Sequence, residues 1–166
     1  MGRLTDAVLD ALAEEGVDPL PVRPLSAGFR TEDGTVTLAD GSVRTMLSEG
    51  FVPVLNGDVI AHAGHGGTIV SGDTIVVSLA ESLEADRVGL CSTVPGVLDD
   101  DGSVIDEIES FDAVASVLGA SESTDVTGGM AAKVQRLLEL DTPASIFDPD
   151  ALADFLESGQ AGTVVR

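Results

Sequence analysis

Asp125-Val126-Thr127-Gly128-Gly129-Met130-Ala131-Ala132-Lys133 sets two adjacent glycines directly before a helical pattern, and that pattern carries the only lysine of the chain. Backbone N–H groups at a helix start point outward, and the helix dipole favours negative charge there. Glycine lets the backbone approach an anion closely. A lysine one turn into the helix adds a mobile point charge suited to phosphate. The segment thus reads as a phosphate receiver. The competing reading is a plain helix start whose Lys133 faces solvent. The Gly-x-x-x-x-Gly-Lys-Ser/Thr loop of the common nucleotide-binding proteins is absent. Met130, Val134, Leu137 and Leu138 share one face of the helix expected over 128–140.

Two further glycine turns lie upstream. Phe51 to Leu55 is nearly all apolar, predicting a strand buried on both faces, and Asn56-Gly57-Asp58 ends it. Thr68-Ile69-Val70 is extended, and Ser71-Gly72-Asp73 leads into a helix with Ile75, Val76, Leu79 and Leu83 on its apolar positions. Arg87 to Cys91 reads as another buried strand, with Cys91 inside, followed by the loop Ser92 to Gly96. Before these, Leu4, Val8, Ala11 and Leu12 predict a helix stopped at Gly16. Prolines keep 17–24 extended. Thr35 to Leu38 is a short strand between Asp-Gly turns, and Ser42 is placed to cap a helix ending at Gly50.

After the loop, Asp99 to Gly102 predicts a solvated hairpin turn, and Ser110 caps a helix through Leu118. Ser145 to Phe147 is a strand, Pro149 opens a helix closed by Gly159, and Thr163 to Val165 is a last strand. Strands alternating with helices predict an α/β fold with a mostly parallel sheet and helices on both faces. Ligands of such sheets sit at the carboxyl ends of strands, where Asn56-Gly57-Asp58, Ser71-Gly72-Asp73 and Ser92 to Gly96 fall.

Composition narrows the function. The 166 residues suffice for a real core and, with 43% hydrophobic residues, are not a disordered acidic tail. The net charge of −21 repels nucleic acid and anionic membrane, so neither is an expected partner. A polyanion nearly free of lysine suits a salt-saturated cytoplasm, where screening removes self-repulsion. Most of its carboxylates are then solvated surface. One cysteine excludes an internal disulfide. There is no leader pattern and no apolar run of membrane-spanning length, so a soluble, cytoplasmic protein is expected.

Taken together, Val52 to Asp58, Ile69 to Asp73 and Asp125 to Lys133 resemble, in order and spacing, the amino-acid-kinase superfamily, and within it the isopentenyl phosphate kinases of archaea. The corresponding family patterns are Val-Pro-Val-x-x-Gly-Asp-Val, Ile-Ser-Gly-Asp and Asp-Val-Thr-Gly-Gly-Met-x-x-Lys. The resemblance runs over essentially the whole chain. It implies ATP- and Mg²⁺-dependent phosphorylation of isopentenyl phosphate, a small phosphorylated substrate, to isopentenyl diphosphate in isoprenoid synthesis. By position, Lys133 resembles the lysine that meets the ATP phosphates, and Asp73 the acid that orients catalytic lysines. Gly57, Val70, Ser71 and Gly72 fall on the substrate-phosphate side. Ser92, Thr93, Gly96, Gly128 and Gly129 fall on the nucleotide side. The resemblance also implies a homodimer, with 1–55 on the substrate and dimer side and 56–166 on the nucleotide side of one kinase domain.

The chain departs from the family pattern in three places. The family's opening Lys-x-Gly-Gly-Ser strand and its Gly-Ser-Phe-Gly-His loop have no counterpart here. On that ground an incomplete domain without the first strands is expected, prone to associate beyond the dimer, and an inactive nucleotide-binding remnant stands as an alternative. A sibling kinase acting on acetylglutamate or carbamate is another. Thr93 and Pro95 stand where many members carry Thr-Asp-Val-Asp-Gly. His62 and His65 invite a metal reading. No cysteine or third histidine joins them and glycines surround them, so no metal site is assigned. For Asp73 the plain alternative is an acid stabilising a helix dipole; for Asp58 it is a turn residue.

Overall fold

A computed structural model describes residues 2–119 and 129–166. It divides into two compact units at Leu83 and Glu84. The first unit contains α1 (Gly2–Glu14), β1 (Pro19–Pro21), α2 (Pro24–Ala27), β2 (Gly28–Arg30) and β3 (Val36–Leu38), then α3 (Asp40–Ser48), β4 (Val52–Val54), β5 (Asp58–His62), β6 (Gly66–Val70) and α4 (Gly72–Leu83). β1 and β4 pair in parallel, with Leu20 opposite Pro53. A second sheet has the order β3-β2-β5-β6. Its β2–β5 pairing is parallel, and its two hairpins are antiparallel.

The core of this unit forms where β5, β6 and α4 meet. Ile60, Val70 and Ile75 are buried there, packed by Val36, Leu38, Leu55 and Leu79. Alternation along β5 and β6 explains the choice. Ile60 and Val70 point inward, while Val59 and Ile69, opposite each other in register, are exposed.

The second unit contains β7 (Val88–Cys91), β8 (Glu107–Ile108), a 3-10 turn at Phe111–Ala113, α5 (Ala115–Gly119), α6 (Gly129–Leu137), β9 (Ala144–Phe147), a 3-10 turn at Pro149–Ala151, α7 (Leu152–Ser158) and β10 (Thr163–Val165). The sheet order is β7-β9-β10-β8. β7–β9 and β10–β8 are parallel, and β9–β10 is antiparallel. β9 lies between two strands and all four of its residues are buried. Val134 and Leu137 of α6 join this core, and Phe147 stacks on Phe155 with ring centroids 4.8 Å apart. The architecture is the expected α/β one with mostly parallel pairing, interrupted by the β2–β3 and β5–β6 hairpins and by the antiparallel β9–β10 pair.

Several local expectations are corrected. β4 covers only Val52–Val54, and Val52 and Phe51 are exposed, because β4 has one strand neighbour, β1, among the described residues. Pro24 opens the short helix α2 rather than prolonging an extended run, its missing N–H being harmless at the first helical position. Ser42 lies inside α3, which starts at Asp40, and its hydroxyl donates to the Ala39 carbonyl at 2.8 Å. Ser110 makes no capping hydrogen bond, and the helix expected behind it is split into a 3-10 turn and α5. Cys91 is exposed, not buried, because it ends β7 at the sheet margin. Asp99 does organise a hairpin turn: its carboxylate accepts from the amides of Asp101 and Ser103, and Leu98 bridges Val104.

Candidate active site

In the first unit the antiparallel register of β5 and β6 sets Asp58 opposite Val70, which draws the turn at Asn56-Gly57 onto the turn at Ser71-Gly72. The approach is close. A Cβ on Gly57 would stand 3.1 Å from the Val70 carbonyl oxygen and 3.5 Å from the Gly72 nitrogen. Ser71 caps α4: its hydroxyl accepts the Thr74 N–H at 3.2 Å and lies 2.9 Å from the Thr74 hydroxyl. A Cβ on Gly72, at the start of this 12-residue helix, would meet nothing within 4 Å. Asp73 follows in the first helical turn. Four residues singled out in the sequence, Gly57, Val70, Ser71 and Gly72, therefore come together in one small, backbone-lined seat.

A cavity of about 300 Å³ adjoins that seat. Leu4 and Val8 of α1, Val54 of β4 and Leu55 just beyond it make its apolar wall, and Thr5, Asn56 and Gly57 form its polar end. Asn56 is held in place from two sides. Its amide donates to the Gly57 carbonyl at 2.7 Å, and its carbonyl accepts the Thr5 hydroxyl at 3.2 Å.

In the second unit β7 runs out into Ser92 to Gly96. The Ser92 amide donates to the Phe147 carbonyl at 2.7 Å, tying the loop to β9. At the other end the Val97 amide donates to the Thr163 hydroxyl at 2.8 Å. Ser92 is half-buried, Thr93 exposed and Gly96 buried. A cavity of about 370 Å³ is lined by Val94, Gly96, Val97, Leu98, Asp99 and Asp100, by Val117 and Leu118 of α5, and by Met130 of α6. α6 thus meets the Ser92–Gly96 loop through Met130. Gly129 opens α6 at φ +61°, a conformation that favours glycine. Lys133 stands one turn on, half-buried. Asp125 to Gly128, including the nominated Gly128, lie outside the described residues.

His62 and His65 face each other where β5 and β6 join, with ring centroids 4.4 Å apart. The His65 Nδ1 lies 3.1 Å from the Ala63 carbonyl. Among the described residues no three His, Cys, Asp or Glu side chains converge to hold a metal.

The amino acid kinase family model matches residues 1–141. The chain belongs to the amino acid kinase family. Among relatives, it is 64% identical to the isopentenyl phosphate kinase of Haloferax volcanii, over all 166 residues and 67% of that protein's length. It is 36% identical to the isopentenyl phosphate kinase of Methanothermobacter thermautotrophicus over 147 residues, which are 83% of this chain and 54% of that protein. A solved isopentenyl phosphate kinase superposes with a TM-score of 0.79 at 26% identity, covering 99% of this chain and 66% of that one. The chain thus spans between half and two thirds of these kinases.

Three features of this amino acid kinase went unread in the sequence: the Thr163 hydroxyl, the Asn56–Thr5 contact and the apolar wall from α1. Each joins residues far apart in the chain. Leu4 and Val8 did carry a signal, since a helical apolar stripe must face something. Thr163 looked like an ordinary strand residue.

Proposed function

We propose that this chain carries the substrate-phosphate seat and the nucleotide-side groups of an isopentenyl phosphate kinase. One observation supports the choice of substrate above others: the cavity at Leu4, Val8, Val54 and Leu55 is apolar and ends at the backbone seat of Gly57 and Ser71-Gly72. A short hydrocarbon tail with a phosphate head matches that polarity. Acetylglutamate would bring a second carboxylate to the apolar wall, where no cationic side chain lines the cavity.

In this reading the amides at the start of α4 and the backbone of Val70 and Gly57 hold the phosphate of isopentenyl phosphate. Lys133 meets the ATP phosphates. Ser92, Thr93, Gly96, Gly128 and Gly129 shape the nucleotide side, and Asp73 orients cationic groups. A substrate phosphate oxygen attacks the γ-phosphorus, the bond to the ADP bridging oxygen breaks, and ADP leaves. Both reactants are anions, so catalysis rests on positioning and charge neutralisation rather than on covalent chemistry. In a chain of net charge −21, placing its single lysine beside this step is what lowers the repulsion locally. The described side chains do not fit a protein-held metal cage. Mg²⁺ would arrive on the nucleotide, held mainly by phosphates and water. In this reading the chain acts in a cytoplasmic homodimer in archaeal isoprenoid synthesis.

The test is ADP release in multimolar KCl with Mg-ATP, with and without isopentenyl phosphate, beside Lys133→Ala. Release should require both the substrate and Lys133. Folded protein that neither releases ADP nor binds isopentenyl phosphate in a calorimetric titration overturns the reading.

A further inference from the structure

The loop from Ser92 to Gly96 owes its shape to the end of the chain. Thr163 is fully buried at the start of β10, 66 residues beyond Val97, yet its hydroxyl accepts the Val97 amide at 2.8 Å. A Cβ on Gly96 would stand 2.6 Å from that same oxygen and 3.1 Å from the Thr163 nitrogen, so loop and strand are in contact through backbone atoms. Gly162, at φ +61°, leaves no room for a Cβ against the carbonyls of Pro95 and Ile146. The loop is thereby gripped at its far end by Gly162-Thr163 and at its near end by the Ser92–Phe147 hydrogen bond. The cavity shared with Met130 is lined by this gripped segment, at Gly96 and Val97.

We propose that Thr163 is a positioning residue for nucleotide binding, holding the Ser92–Gly96 loop in its receiving shape through the Val97 amide. The inference rests on the reading of that loop as nucleotide-side. The residue type is well suited. A β-branched side chain in a strand is stiff at χ1, so the hydroxyl stands in one place before any ligand arrives. Valine would fill the same volume but leave the Val97 N–H buried without an acceptor. A loop already ordered gives up less freedom on binding than one that must be ordered by the ligand.

The experiment is calorimetric titration of the full chain with Mg-ADP in multimolar KCl, at a temperature where each variant is folded by circular dichroism. Thr163→Val should weaken binding about tenfold, the equivalent of one net hydrogen bond. Thr163→Ser, which keeps the acceptor, should stay within about twofold of the native chain. Thr142→Val serves as the stability control: it removes another hydroxyl bond in the same unit, to the Ala85 carbonyl at 3.0 Å, and should leave affinity unchanged. Where Thr163→Val does not fold, Thr163→Cys, with a weaker acceptor of similar size, should show an intermediate loss. Native-like affinity in whichever of the two folds, or equal losses in Thr142→Val, overturns the positioning role while leaving the nucleotide reading intact. A native chain that binds no Mg-ADP overturns both.

Discussion

The Val70 carbonyl oxygen lies 3.1 Å from where a Cβ on Gly57 would stand, so two turns separated by a whole hairpin share one backbone-lined seat. Gly57→Ala should therefore push the Val70–Gly72 backbone away from the Gly57 turn. A loss of about 1–3 kcal/mol in stability is expected from overpacking. Isopentenyl phosphate binding should fall with it. Urea unfolding at fixed KCl and a substrate titration check the two effects separately.

Ser71→Ala removes the acceptor for the Thr74 amide and frays the start of α4. Stability should drop by about 1 kcal/mol, the usual value of an N-cap side chain. In the proposed reading those first amides hold the substrate phosphate, so KM for isopentenyl phosphate should rise while KM for ATP stays put. A matched rise in both would argue that α4 does not touch the substrate.

Lys133→Ala should lower kcat about 10²–10³-fold, as expected for removing one group aimed at transition-state charge. Gly129→Ala, by forcing a side chain onto φ +61°, should cost about 1–2 kcal/mol and tilt the start of α6. Steady-state kinetics and thermal unfolding of the two variants should then diverge: the first loses far more rate than stability, the second loses both.

Salt should stabilise the chain steeply. With net charge −21, self-repulsion opposes compaction until ions screen it. The thermal midpoint should climb as KCl rises from millimolar to molar. A flat profile would mean that the carboxylates are already neutralised within the fold.

In the β2–β3 turn the Thr31 hydroxyl bonds the Asp33 carboxylate, and the Thr35 amide adds a second hydrogen bond. These bonds, Thr31 first, hold the Asp33 carboxyl below its ordinary value. A depressed folded value gives stability that is present above the unfolded pKa and lost as pH falls through the folded one. Thr31→Val should move the Asp33 titration back up, read by NMR of the side-chain carbon. The effect on overall stability should be small, since the turn is fully solvated.

Residue order alone determined the fold class, the glycine turns at Asn56-Gly57 and Ser71-Gly72, and most of the helices and strands described in this chain. Those features rest on local causes: apolar periodicity in α1, α4 and α6, glycine beside strand ends, and proline or aspartate at helix starts. The excess of acidic residues and the single lysine likewise stood in the composition. Packing decided the rest. Cys91 was expected inside and lies outside, because burial depends on where the sheet ends rather than on the neighbours Gly89 and Leu90. Gly96 was nominated for a ligand, yet its lack of a side chain is also demanded by Thr163 and Val104 of its own unit. Nothing near Val97 in the chain hints at Thr163, and nothing near Asn56 hints at Thr5. Such contacts join residues whose separation along the chain is paid for only by burial of the whole core, and that is why the tertiary structure alone could place them.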